Sequence, residues 1–389
     1  MNYLIIIPFA LPWNWSADYE KETAKQLAKK HTVVAFLVGE GFTLWQYIRA
    51  PRVLIQKINA HLYVYKPLYI LPFQRFLIIR HINFRIAAYL VRLWIWCSPM
   101  RRKKKIYWSF SLQYAVFPTY FGPHYFSIYD CVDAFVTENP QRQVLWKRYE
   151  ERILKESDLV LVNSKTLYAQ KVHSHPHIVQ TGEGLFSKDI FDAPRNRQEP
   201  SDIAVIPHPR ITFIGTINNR LDFFLIKKLV AITPSYSYVF IGGEDPFFDG
   251  HTETDFSKEI AKLKTMPNCY FLGKKQKTEI PAYIGQSDVG FIPYDISLLF
   301  NKFCSPMKIQ EYFYMGKPVL STAIPEVTVF VPHVALFHTA PEGKNQLKRL
   351  LSTSFTKKQI LQLRQIARNN SIAKKCRYVE TVLQKHYVS

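Results

Sequence analysis

The strongest constraint on what this chain can fold into is an alternation that runs almost end to end. Short apolar runs of strand length are separated by polar segments of helix length. The first unit reads as strand 4–7, loop 8–16, helix 17–30 and strand 32–38. Strands at 107–108, 126–129 and 159–162 follow, with helices at 139–156 and 164–174. The proline-rich stretch 195–209 reads as a linker, after which the rhythm restarts. Strands at 211–214, 238–241, 269–272, 289–293 and 318–321 then alternate with helices at 221–233, 256–264, 280–285 and 305–315. Such a pattern predicts an α/β protein built from two doubly wound, Rossmann-like domains facing each other across a cleft. The expected division is 1–195 and 196–371, with a long basic helix over 357–386 whose last part, about 372–389, returns to the first domain. A length of 389 residues and a 48% hydrophobic content supply two cores. The opening MNYLIIIPFALPW lacks a basic leader and is interrupted by Pro8 and Pro12, so it reads as a buried first strand and not a signal peptide. No run of 18 uncharged apolar residues is present, so no spanning helix is expected.

Charge is the second constraint. Lys plus Arg number 51 against 30 Asp plus Glu, a formal net charge of +21. The excess is concentrated: residues 41–129 contain basic side chains but no acid. Within that segment a helix over 73–96 places Gln74, His81, Arg85 and Arg92 on one stripe of a largely apolar surface. Arg101, Arg102, Lys103, Lys104 and Lys105 follow directly. An apolar face beside snorkelling arginines fits a helix lying on an anionic membrane surface, against the alternative of a core helix with a solvated basic loop. Trp13 and Trp15, in the loop after the first strand, join this membrane- or acceptor-facing set. Basic residues confined to one apolar segment do not suit a single-strand binder, which spreads them over an exposed sheet, so no nucleic-acid partner is expected. The scattered cysteines form no C-x-x-C pair, which points to a reducing compartment and a cytoplasmic, peripheral location on the inner face of the cell membrane. His173, His175 and His177 alternate, but their Ser- and Pro-containing loop reads as solvated surface, and no metal site is expected.

The densest chemical signal is Ser305-Pro306-Met307-Lys308-Ile309-Gln310-Glu311-Tyr312, followed by Met315-Gly316-Lys317-Pro318-Val319. Ser305 is a natural helix N-cap and Pro306 a natural first helical residue, which puts Lys308 at the third position. A cation there opposes the helix dipole unless a phosphate sits over the free backbone N–H groups. Glu311, three residues on, shares the face of Lys308 and can accept hydrogen bonds from ribose hydroxyls.

SPMKIQEY…GKPVL resembles the second-domain motif of GT-B glycosyltransferases, particularly family 4 and related bacterial exopolysaccharide enzymes, glucuronosyltransferases among them. Segments Phe213–Asp222, Asn268–Lys275, Ile280–Tyr294 and Thr181–Phe191 are similar to stretches of such enzymes, in order. The resemblance implies the GT-B fold, a nucleotide-sugar donor (a UDP-sugar) in the second domain, a lipid-linked or glycan acceptor in the first, and no cofactor or metal. Carried over, Glu311 contacts the ribose and Lys308 the diphosphate. Gly215, Thr216 and Arg220 lie beside the phosphates, with Ser305, Pro306 and Met307 completing the donor loop and Glu183 approaching the donor sugar. Family 4 commonly has a further Glu where this chain has Phe303. The segment Tyr129-Asp130-Cys131-Val132-Asp133 is similar to the Y-D-x-x-D of the exopolysaccharide enzymes, which implies an aspartate base towards the acceptor if transfer inverts. Asp133 is the first choice and Asp130 the second. Two other readings stay open: a polyanion or nucleic-acid binder, and a GT-B nucleotide-sugar epimerase.

Overall fold

The computed structural model describes residues 2–10, 12–13, 19–112, 117–122, 125–137, 139–182, 188–192, 198–246, 253–353 and 355–388. The first half is built on strands β1 (Leu4–Phe9), β2 (Thr32–Leu37), β3 (Phe42–Thr43), β4 (Ile55–Lys57), β5 (Leu62–Tyr65), β6 (Leu68–Tyr69), β7 (Lys105–Ser109), β8 (Tyr125–Cys131), β9 (Leu159–Val162) and β10 (Ile178–Gln180). Eight of them form one sheet in the order β10-β9-β8-β7-β1-β2-β5-β4, while β3 and β6 pair separately. All contacts in the large sheet are parallel except β4 against β5. The second half contains β11 (Arg210–Ile214), β12 (Ser237–Ile241), β13 (Cys269–Gly273), β14 (Val289–Ile292), β15 (Val319–Thr322) and β16 (Val334–Phe337), parallel in the order β13-β12-β11-β14-β15-β16. The central strand β1, Leu-Ile-Ile-Ile-Pro-Phe, is buried at every position because helices cover both faces of the sheet.

On one face of the first sheet, Ile5, Ile7 and Phe9 pack with helix Tyr19–Leu27 and with the final helix, Ile372–Val388, through Ile372, Cys376, Val379 and Leu383. On the other, Leu4 and Ile6 pack under helix Leu77–Trp96 through Phe84, Ala87, Ala88, Val91 and Ile95. The second sheet has its own core around Phe213, Phe240, Phe291 and Tyr312.

Two expectations change here. The stretch 195–209 is not a bare linker: Ser201–Ala204 is helical, and Ile203 and Ile206 are buried in the second core, so the apolar group Ile203-Ala204-Val205-Ile206 outweighs its prolines. The long helix over 357–386 is two helices, Lys357–Asn369 and Ile372–Val388. Asn370 ends the first, its N–H bonded to the carbonyls of Ile366 and Ala367, and the break lets the second turn onto the first sheet.

In both sheets the strand order reverses once, between β1 and β7 and between β11 and β14. Crevices at the carboxyl ends of strands beside such a reversal are where open α/β sheets bind ligands.

Candidate active site

At the second reversal, β11 ends at Ile214 and the chain turns through Gly215, whose φ of 142° favours glycine. A Cβ at Gly215 would lie 2.8 Å from Lys308 Nζ, so the missing side chain is what lets the ammonium reach this turn. Lys308 Nζ donates to Tyr294 Oη at 2.6 Å and lies 4.2 Å from the Phe213 ring centroid. Arg220 stacks on the opposite part of the same wall, 4.4 Å from the Tyr294 ring and 4.6 Å from Phe300. Its guanidinium is oriented by Nε donating to Asn301 Oδ1 (2.9 Å) and Nη2 to Cys304 Sγ (2.7 Å). Two fixed cations thus share one aromatic wall where the strand order reverses, an arrangement whose charge suits an anionic group. Thr216 is exposed beside them.

The donor loop differs from expectation in one respect. Ser305 does not cap the helix, which begins at Lys308 and ends at Tyr314; Met307 precedes it in helical backbone conformation without a side-chain cap. The N–H groups of Ile309 and Gln310 are used on the carbonyls of Pro306 and Met307 at 3.1 and 3.0 Å. Lys308 is therefore the first helical residue, not the third. The loop lies between the halves: Met307 packs against the first domain's core, and Phe303 against a second cluster there that includes Tyr129 and Val160. Glu311 is buried on the helix and its carboxylate accepts from Lys277, a residue of the loop after β13 that sequence reasoning missed. The basic run Lys274-Lys275-Gln276-Lys277 was the only signal for it.

Across the cleft, the carboxyl ends of β1, β7 and β8 frame a cavity of about 390 Å³. Ala10, Ser111, Asp133, Phe135 and Trp146 line it, and Phe300 closes it from the second domain. Burial pushes the Asp133 carboxyl up to about 6, while the positive charge of Arg220 pulls the other way. Asp133 thus lies within electrostatic reach of Arg220 across the gap.

Asp130 is withdrawn as a base. It is fully buried, with its oxygens accepting from Lys375 Nζ at 2.6 and 2.7 Å and from Trp108 Nε1 at 3.1 Å. This pair joins β8 to the final helix and leaves no room for an acceptor hydroxyl. The mechanical link between the halves was also missed. Glu326 accepts from the backbone N–H groups of Lys165 (3.1 Å) and Thr166 (2.7 Å) and from the Thr166 hydroxyl (2.7 Å).

The basic set divides. Arg85 and Arg92 lie on helix Leu77–Trp96, Arg85 over the Tyr120 ring and Arg92 donating to the Tyr120 carbonyl, while His81 Nδ1 bonds the Tyr120 hydroxyl. The stripe predicted to be open is therefore partly covered by Tyr120. Arg101, Arg102, Lys103, Lys104 and Lys105 lie at the amino end of β7, the pole opposite the cleft, and Lys103 donates to Thr32 and Asn2 at the amino ends of β2 and β1. They cannot touch an acceptor in the cleft. Trp13, in the loop after β1, lies away from helix Leu77–Trp96: it packs against Phe9 on the other face of the sheet, its backbone N–H donating to Glu40. Glu183 and Trp15 lie outside the described residues. His175 bonds the Ser157 carbonyl at 2.9 Å, and no cluster of three metal-binding side chains occurs among the described residues.

Comparison with known proteins follows from this geometry. Residues 203–371, the half that carries Gly215, Arg220, Lys308 and Glu311, match the family described as Glycosyl transferases group 1. The match covers the second domain and less than half of the chain. Among curated relatives, the candidate teichuronic acid biosynthesis glycosyltransferase TuaH of Bacillus subtilis (strain 168) is 25% identical over 214 residues. That match covers 52% of this chain and 51% of the relative, about half of each. Solved structures fit over the whole chain. Sucrose-phosphate synthase from Thermosynechococcus elongatus superposes with a TM-score of 0.75 at 13% identity, covering all of both chains. An α,α-trehalose-phosphate synthase (UDP-forming) from Burkholderia vietnamiensis gives 0.71 at 11%, covering 99% of each. Anabaena HepE in complex with UDP and glucose gives 0.65 at 13%, covering 98% of this chain and 99% of that one. The fold is GT-B: two Rossmann-like domains facing across a cleft.

Proposed function

We propose that this chain is a glycosyltransferase that moves a sugar from a nucleoside diphosphate, a UDP-sugar, to a lipid-linked or glycan acceptor in cell-surface polysaccharide synthesis, working at the cytoplasmic face of the membrane. The observation that carries this reading is the pairing of Lys308 and Arg220 on one aromatic wall opposite Asp133. As the donor's glycosidic bond breaks, negative charge grows on the leaving diphosphate, and two pre-oriented cations stabilise it without a metal. Glu311, held by Lys277, offers a carboxylate for the ribose hydroxyls. If transfer inverts, Asp133 takes the proton of the attacking hydroxyl, and a carboxyl lifted towards neutrality is suited to that role. HepE's complex with UDP and TuaH's assignment to teichuronic acid biosynthesis support the donor class and the pathway class.

The membrane part rests on the acid-free segment and on the apolar side chains that helix Leu77–Trp96 leaves exposed; among the described residues no helix is long and apolar enough to cross a bilayer. A nucleic-acid binder of the stacking type is disfavoured because both large sheets are covered by helices and offer no open platform. Thermal-shift screening against UDP, GDP and ADP sugars tests the donor, and UDP compounds should stabilise the fold. Transfer of radiolabelled sugar from the stabilising donor into a membrane extract tests the reaction; stabilisation without any transfer would refute the enzyme reading.

A further inference from the structure

Helix Leu77–Trp96 precedes β7 and packs antiparallel to it on the sheet, so its amino end lies towards the cleft and Trp96 at the far pole. Ile78, Ile82, Tyr89, Leu93 and Trp96 recur at helical spacing on the side away from the core, with Ile78 75% and Trp96 65% exposed. This apolar stripe is about 30 Å long at 1.5 Å per residue. At its far end lies a groove of about 480 Å³, whose lining includes Arg92, Arg101 and Lys105 beside Tyr89, Trp96 and Tyr125. No carboxylate is among its lining residues, and none occurs in the sequence between 41 and 129. Arg92 donates to the Tyr120 carbonyl and Lys105 to the Arg101 carbonyl at 3.3 Å, contacts that help to position these cations.

We infer that this groove binds the phosphodiester headgroup of an anionic glycerophospholipid while the apolar stripe lies in the leaflet, so that the helix rests flat on the membrane. The inference rests on the membrane reading above and specifies its contact. Three convergent cations answer the phosphate charge, and Trp96 and Tyr89 suit the headgroup–acyl boundary. Because the groove is at the pole opposite the catalytic cleft, it is a docking site and not an acceptor subsite. With the helix lying flat, the cleft opens sideways at leaflet level, and Phe73, Phe76 and Leu77, all exposed at the cleft end, continue the contact towards its rim.

Flotation with vesicles of phosphatidylcholine alone, and of phosphatidylcholine with phosphatidylglycerol, tests this. The wild-type chain should bind the anionic vesicles. The groove variant R92Q/R101Q/K105Q should lose at least tenfold more affinity than the equally discharged control K57Q/R102Q/K104Q. Equal losses would overturn the groove while leaving the membrane reading intact, and failure of the wild-type chain to bind either vesicle would overturn both. Hydrogen exchange on the wild-type chain needs no variant to fold: anionic vesicles should protect 89–105, and protection elsewhere only would also overturn the groove.

Discussion

Asp133 and Glu311 are carboxylates treated in opposite ways by their surroundings. Glu311 is buried against an ammonium, whereas Asp133 is half-buried in the cavity wall, where the Arg220 charge only partly offsets the loss of water. A folded carboxyl lifted from 3.8 to about 6 binds a proton that the unfolded chain has already released, so this residue subtracts stability as pH rises through that interval. Asp133→Asn should therefore melt higher than wild type above about pH 6, with the gap closing below about pH 4, as calorimetry across pH would show. The same substitution should abolish transfer if the reaction inverts, and the wild-type rate should fall as pH drops below about 6. Glu311→Gln keeps the shape but removes the charge proposed to bond the ribose hydroxyls. Affinity for UDP, measured by calorimetric titration, should fall by roughly tenfold to a hundredfold, the value of a hydrogen bond to a charged group. Glu311 drew attention through its spacing to Lys308. Lys277 did not, because nothing local links a lysine after β13 to a helix 34 residues later.

Elements buried on both faces were the most readable, since a run such as Leu159–Val162 has no other stable setting. The short β3, β4, β5, β6 and β10 and the last strand, β16, escaped notice: they are brief, and several are only half-buried. Predicting Ser305 as a cap applied a sound local preference to a loop whose conformation is fixed by packing of Met307 and Phe303 on the other domain. The close approach of the turns after β11 and β12 is another tertiary feature. A Cβ at Gly242 would meet the Gly215 carbonyl oxygen at 1.9 Å, a backbone atom that cannot swing away. Gly242→Ala should destabilise the second domain by about 1–3 kcal/mol and weaken UDP stabilisation as the Gly215 turn is pushed off Lys308. Urea melts with and without UDP measure both effects.

For the whole molecule, the alternation of strands and helices conveyed two sheets, while the ties that close the structure lay beyond any sequence pattern. Asp130 and Lys375 are 245 positions apart, and the spacing of Tyr129 to Asp133 drew attention to Asp130 for a different reason. Lys375→Ala leaves a buried carboxylate without its partner and should cost about 3–5 kcal/mol in a denaturant melt. Lys375→Met tests whether the alkyl stem alone can hold the helix, and should recover little if the charge is what matters. Glu326, reaching across to Lys165 and Thr166, is a lighter tie that domain motion can break and remake.

During synthesis the Rossmann-like unit translated first lacks one of its covering layers until the second has been translated. Ile372, Cys376, Val379 and Leu383 are made after the whole second sheet, yet they seal the face of the first sheet that carries Ile5, Ile7 and Phe9. Until they emerge, that face is exposed to chaperones and to other nascent chains, so folding of this unit waits on translation of the second.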